Sequence, residues 1–294
     1  MLANKNFVVL GGGHAGIEAA FAIARLGHKC QLITMSEKSI GRLSCNPAIG
    51  GLAKTHLVKE IDALGGVMGY AADQNSLQYK TLNKTKGRAV WSTRAQVDKK
   101  TYPSFIQRLI NKNDNINVLS NEIIDIKIKS GAVCGVVLND KKTLPCNALV
   151  VACGTFSNGL IHIGDKTYKA GRFGEKRTPY IGKILKSFGH SLIRLKTGTP
   201  PRISLRSIDL NFVNVAPGDV VSFPFSLFSN NINNNQMDCF LVNTNSLTHS
   251  IIDKNIHLSS MYSGKISGVG PRYCPSVEDK IFRFKDRPSH SLFL

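Results

Sequence analysis

The chain is short of acid. Nineteen Asp and Glu stand against 38 Lys and Arg, a formal charge of +19 over 294 residues, with a sequence pI of about 9.8. A field of that sign disfavours cationic partners and favours a polyanion, nucleic acid ahead of a membrane surface. The bias toward Asn, Ile and Lys that AT-rich codons produce accounts for part of the same excess. Long apolar runs are also missing. The longest, at residues 7–10 and 148–152, have the length of buried strands, against the roughly 18 residues that span a bilayer. A strand opens at Asn6, which leaves no room for a signal peptide, so a soluble cytoplasmic protein without a membrane partner is expected. Seven cysteines (Cys30, Cys45, Cys134, Cys146, Cys153, Cys239 and Cys274) include no CxxC pair, and their number is odd. That argues against a disulfide framework and a zinc cluster; reduced thiols and no metal are expected. A 42% hydrophobic content with 26 glycines and 11 prolines excludes wholesale disorder and collagen-like repeats.

What is present begins with NFVVL, an apolar strand over residues 6–10 that runs into GGGHAG. Gly11, Gly13 and Gly16 make G-x-G-x-x-G, a helix over about 15–26 follows, and a second apolar stretch covers 30–33. Strand, glycine turn, helix and strand is the context that a dinucleotide fingerprint requires. Gly11 permits the turn, Gly13 lets a pyrophosphate approach the backbone, and Gly16 lets the helix pack closely, while the helix N-terminus offers amides and a positive dipole end. The acid expected after the second strand is replaced by Thr34, with Ser36 and Glu37 as candidates to substitute, so the fingerprint alone does not separate FAD from NAD.

Leu52, Leu57, Val58, Ile61 and Leu64 have helical spacing and predict a helix over 52–64. Cys45 lies upstream, between Ser44 and Asn46-Pro47, with Arg42 and Lys54 close in sequence. Two readings stay open there: a reactive thiol near a helix N-terminus, or a small buried hydrophobe. Residues 75–100 are dense in Lys, Arg, Thr and Gln around Trp91, which suits an anionic ligand or a solvated basic loop. A helix over 99–111 and a β-meander over 117–149 follow, closing on a buried strand that ends in glycine. RLKTGTPPRI at 194–203 sets Arg194, Lys196 and Arg202 around a Thr-Gly-Thr-Pro-Pro turn, either an anion site or a linker with surface charge. Residues 205–260 read as a small β-rich unit, and Cys274 sits in a loop beside Arg272, ahead of a helical stretch.

GGGHAG at 11–16, SCNPAIGG at 44–51, HLVKEIDALGG at 56–66, TRAQVDK at 93–99, GTFSNGLIHIG at 154–164, RLKTGTPPRI at 194–203 and GVGPRYCPSVEDK at 268–280 occur in that order. They resemble the blocks of the MnmG (GidA) family, FAD-dependent subunits of an enzyme that modifies the wobble uridine of certain tRNAs. The resemblance covers essentially the whole chain. It implies an α/β fold: a glutathione-reductase-type FAD-binding Rossmann-like domain with an inserted smaller β-rich domain, and without the family's helical C-terminal domain. The expected division is 1–203 for the FAD domain, 204–275 for the insert and 276–294 for an incomplete return to the FAD domain.

The family's activity places a carboxymethylaminomethyl group on carbon five of the wobble uridine. It uses FAD, NADH as reductant and methylenetetrahydrofolate as one-carbon donor, with tRNA, the GTPase MnmE and a second copy of the chain as partners. Carried onto this sequence, Gly11, Gly12, Gly13, His14, Ala15 and Gly16 bind the FAD pyrophosphate, and Ile123 and Thr178 make further FAD contacts. Gly270, Pro271, Arg272, Tyr273 and Phe284 fall in the family's NAD segment, and its two functional cysteines fall on Cys45 and Cys274. Thr178 stands where serine is more usual, Trp91 where arginine is frequent and Arg88 where proline is frequent. The chain ends at HSLFL, where family members continue, which implies a fragment of a longer gene product or a shortened protein; the alternative functions are a truncated inactive remnant and a generic FAD/NAD oxidoreductase.

Overall fold

The computed structural model describes residues 5–154, 157–198, 200–220, 224–230, 235–266, 268, 270 and 275–294. Strand β1 (Asn6–Leu10) buries Val8, Val9 and Leu10 in succession, the pattern of a strand covered on both faces. Helix α1 (His14–Arg25) turns Ile17, Ala20, Phe21 and Ala24 inward at helical spacing. Strand β2 (Lys29–Thr34) then lies parallel to β1, with Val8 opposite Gln31. A second layer follows: β3 (Ala48–Gly50), α2 (Thr55–Ala63), α3 (Met68–Gln74), β4 (Ser76–Leu82), β5 (Ser92–Val97) and α4 (Thr101–Asn111). Its strands form an antiparallel sheet in the order β3-β5-β4.

Strand β6 (Ile116–Ser120) joins β2 in parallel, and the meander β7 (Ile123–Lys129), β8 (Ala132–Leu138) and β9 (Thr143–Pro145) leads to β10 (Ala148–Val151). β10 returns to lie parallel to β1, which completes a four-stranded parallel sheet in the order β10-β1-β2-β6. This is the α/β parallel-sheet fold that the sequence predicts. The hairpin β11 (Ile161–Ile163) and β12 (Lys166–Tyr168), helix α5 (Tyr180–Ser187), β13 (Asn214–Ala216), β14 (Cys239–Asn243), α6 (Ser246–Asn255), α7 (Val277–Arg283) and β15 (Ser291–Phe293) complete the described elements. β13, β14 and β15 form a three-stranded antiparallel sheet in that order.

The parallel sheet separates two cores. Val9, Cys30 and Leu32 pack toward α1 and α4, with Tyr102, Ile106 and Ile110, while Val8, Leu10 and Ile33 pack toward the meander and α5, with Ile181 and Ile184. Three local expectations change. The helix expected at 52–64 starts at Thr55, because Gly51 and Ala53 hold positive φ and the Thr55 hydroxyl hydrogen-bonds within the turn. Leu52, Leu57 and Leu64 of its apolar series are exposed; the residues it buries are Val58 and Asp62. The basic stretch 75–100 holds the hairpin strands β4 and β5, which turn Tyr79, Ala95 and Val97 into the core and bury Gln78 on the opposite face against Ala216 and Met237. The first residues of the stretch read as a meander belong to the parallel sheet as β6. Among the described residues, no helix is long and apolar enough to cross a membrane, and no group of three or more His, Cys, Asp or Glu is placed to hold a metal.

Candidate functional site

The chain leaves β1 through three glycines. Gly11 holds φ +113°, and a methyl built on it would run into the Ala152 carbonyl at the end of β10. A methyl on Gly16 would overlap the carbonyl oxygen of Gly11, so α1 reaches this close to the turn only without a side chain there. A methyl on Gly13 would meet nothing. Turn, open flank and close packing thus fall on the three glycines as their spacing predicts. No side chain caps α1 and its first turn holds no acid, so the amides of its first turn and its positive dipole end stay available.

His14 opens the helix. Its Nε2 is buried without a hydrogen-bond partner, and its ring lies 5.8 Å from that of Tyr102, whose buried hydroxyl is also unpartnered among the described residues. Burial holds the His14 imidazole below the usual histidine range, which favours the neutral ring. One turn further, burial pushes the Glu18 carboxyl up, against the amides of Val67 and Met68 that donate to it. After β2, Thr34 is buried beneath the glycine turn, while Glu37 lies exposed and accepts from the Ser120 hydroxyl at 3.3 Å.

The loop that carries Cys45 is fastened at both ends. Gly41 donates its amide to the Gly12 carbonyl at 2.9 Å, which ties the loop to the glycine turn. Beyond the cysteine, Val97 donates to the Pro47 carbonyl at 2.8 Å, and the Gln96 amide nitrogen donates to the Asn46 side-chain oxygen at 2.8 Å. Between these anchors Cys45 is half-buried. Arg202, at the end of the Pro-Pro turn, donates to the Cys45 carbonyl at 2.6 Å. Arg42 pairs with Glu175, which also lies 3.5 Å from Arg172. Although Lys99 is exposed, partial loss of water around its ammonium and then the positive charges of Arg202, Arg42 and Arg172 hold it below the usual lysine range. Local sequence points to Arg42; Lys99 and Arg172 come from remote segments, and no spacing rule links them to the cysteine.

The turn at 194–203 reaches the other way as well. Lys196 pairs with Asp279 at 3.5 Å, both side chains at most 10% exposed, and the Tyr262 hydroxyl donates to the same carboxylate at 2.8 Å. Asp279 also closes a capping box with Ser276 at the start of α7. Gly268 and Gly270 lie against Arg194 and Lys196. Of the three cations expected to face a ligand, Lys196 is therefore spent on a buried ion pair, Arg194 reaches the Asn158 carbonyl at 3.4 Å, and Arg202 faces Cys45. Ile123 begins β7, pairs with Leu138 and is 1% exposed, packed in the core on the meander side of the parallel sheet. Thr178 bridges to Ser157 and accepts the Asn158 amide at 2.8 Å; Phe284 caps α7 beneath the Arg287 guanidinium. Pro271, Arg272, Tyr273 and Cys274 lie outside the described residues.

A parallel sheet whose first strand passes through such a glycine turn into an uncapped helix defines an α/β protein of the Rossmann type. The chain belongs to the GidA family: the family described as "Glucose inhibited division protein A" matches residues 6–294. Over 294 residues it is 46% identical to the tRNA uridine 5-carboxymethylaminomethyl modification enzyme MnmG of Aquifex aeolicus, covering 98% of this chain and 48% of that protein. The enzyme of the same name from Protochlamydia amoebophila is 47% identical over 288 residues, covering 98% of this chain and 46% of its own length. The form I crystal structure of Aquifex aeolicus GidA matches with a TM-score of 0.91 at 45% identity, over 99% of this chain and 50% of that one. The chain spans about half the length of the curated relatives it matches.

Proposed function

We propose that this chain is the FAD-binding part of an enzyme that installs a carboxymethylaminomethyl group on carbon five of the wobble uridine of tRNA. The observation that supports the reading is the hydrogen bond from Gly41 to the Gly12 carbonyl, which fastens the start of the loop bearing the half-buried Cys45 to the glycine turn in a chain of this family. The residues present fit a flavin dinucleotide. Gly13 leaves the space a pyrophosphate needs, α1 offers uncapped amides, and the orphaned His14 Nε2 and Tyr102 hydroxyl are buried polar atoms that a bound group would satisfy. Gly11, Gly12, Gly13, His14, Ala15 and Gly16 would cradle the pyrophosphate, with backbone at Ile123 and Thr178 as further contacts. When bound, the flavin supplies hydride chemistry, with NADH as the reductant taken up along the segment from Gly270 to Phe284.

The thiol has a chemical reason to be there. Carbon five of uracil is a poor nucleophile until a group adds at carbon six and turns the ring into an enolate, and a thiolate suits that addition. Cys45 and Cys274 are the two thiols assigned to such work. The neutral His14 accepts or donates one hydrogen bond without adding charge to the cradle. The rest of the reading comes with the family: methylenetetrahydrofolate as one-carbon donor, MnmE and a second copy of the chain as partners, and a cytoplasmic setting. The test is an absorbance spectrum of the purified full chain after excess FAD and desalting. The flavin's visible bands are expected to remain and to bleach on addition of NADH; a colourless protein overturns the FAD reading for this chain.

A further inference from the structure

Four cations reach the surroundings of Cys45 from four separate segments. Arg42 comes from the loop of the cysteine itself, Lys99 from the end of β5, Arg172 from the turn after β12, and Arg202 from the Pro-Pro turn. Glu175 is the carboxylate among them, shared by Arg42 and Arg172. Lys99 is exposed and pairs with no carboxylate among the described residues. Cations drawn together in this way repel one another, Lys99 above all, and the arrangement is relieved when an anion enters. The anchors are not soft: Arg202 is bound to the cysteine's own carbonyl, and the residues just before Lys99 are bound to the two that follow Cys45. Main-chain and Gln96 hydrogen bonds thus fix the backbone that leads to Lys99 against the cysteine loop, Arg202 is held by its own guanidinium bond, and Glu175 holds Arg42 and Arg172.

We propose that Arg42, Lys99, Arg172 and Arg202 form an oxyanion subsite beside the Cys45 thiol, which takes a backbone phosphate of a polynucleotide. The subsite stands on geometry; its polynucleotide occupant rests on the function proposed above. Guanidinium groups suit phosphate oxygens through paired N–H donors, and Lys99 adds a mobile point charge. A phosphate held there brings the neighbouring base within reach of the thiol and contributes register without reading sequence.

Two measurements on the full chain separate the subsite from its occupant. In the first, alkylation of Cys45 is followed at peptide level with iodoacetate, an anion, and iodoacetamide, its neutral analogue. The iodoacetate-to-iodoacetamide rate ratio at Cys45 is expected to exceed that at the exposed Cys134 by about tenfold and to fall about threefold in Lys99→Gln and in 1 M salt. Equal ratios at the two cysteines, or a ratio unchanged in Lys99→Gln, overturn the subsite. Lys99 is exposed and bears no ion pair among the described residues, so its replacement leaves the fold intact; Arg202→Gln is the second variant, with its melting curve as the control. In the second measurement, a short uridine oligoribonucleotide protects Cys45 from iodoacetamide. Its methylphosphonate analogue, with an uncharged backbone, is expected to protect about tenfold less well, and Lys99→Gln to narrow that gap. Equal protection by the two oligomers, or protection by glutarate and not by the oligoribonucleotide, overturns the phosphate assignment even where the first measurement supports a subsite.

Discussion

Gly13 and Gly16 share one glycine turn and sit in opposite surroundings. The space beside Gly13 is open, whereas beside Gly16 the Gly11 carbonyl already occupies the position of a side chain. Gly16→Ala is therefore expected to lower stability by about 1–3 kcal/mol through overpacking, seen as a melting temperature several degrees below wild type. Gly13→Ala should melt with the wild type and lose FAD on desalting, since its methyl enters only the ligand's space. Equal melting curves for both variants would refute the distinction. These glycine roles are legible in the sequence because each depends on a residue's near neighbours. The orphaned pair of His14 and Tyr102 is not, since the two are 88 positions apart and meet only when α4 packs against α1.

Among the elements, α3 does more than its length suggests. Asp73, 2% exposed, accepts the Tyr79 hydroxyl at 2.5 Å and the amides of Phe225 and Ser226 at 2.8 Å each. It thereby clamps residues 225–226 onto the β4–β5 layer, assisted by Asp62, which accepts the Leu227 amide at 2.8 Å. Asp73→Ala leaves one buried hydroxyl and two amides unsatisfied and is expected to cost on the order of 3 kcal/mol in chemical denaturation. A loss below about 1 kcal/mol would show that the clamp is dispensable. An aspartate on a helix reads as solvated in a sequence, which hides the buried faces of α2 and α3. The apolar spacing of α2 points at Leu57 and Leu64, both exposed, when its buried face is held by Val58 and Asp62. By contrast β1, β2 and the return of β10 to the first sheet are readable from their apolar runs, although β10, expected to be buried, is an edge strand that leaves Val150 and Val151 exposed. The β4–β5 pair is hidden by its cations, whose stems lie along a sheet that buries Tyr79 and Ala95 on the other side.

Over the whole molecule, a charge of +19 is shared unevenly between bound and free cations. At the tip of the β4–β5 hairpin, Lys84 is tied to Asp219 at 2.9 Å and Arg88 lies over the Trp91 ring at 5.7 Å. Lys86 and Arg88 pair with no carboxylate there among the described residues. If this tip meets tRNA, Lys86→Gln with Arg88→Gln should weaken binding and flatten the slope of log affinity against log salt by about 0.7–0.9 for each phosphate left without its cation. An unchanged slope would take the hairpin tip out of the interface. Lys84→Gln, whose ammonium shares Asp219 with Lys80, should change that slope less than either of those two.

The Pro-Pro turn joins distant parts of the molecule at the same scale. One end is bolted to the Cys45 carbonyl through Arg202 and the other to α7 through Lys196 and Asp279, with two prolines between the bolts. The cysteine loop and the start of α7, about 230 positions apart in the chain, thus share one anchor, with Arg202 holding the loop and Lys196 holding the helix.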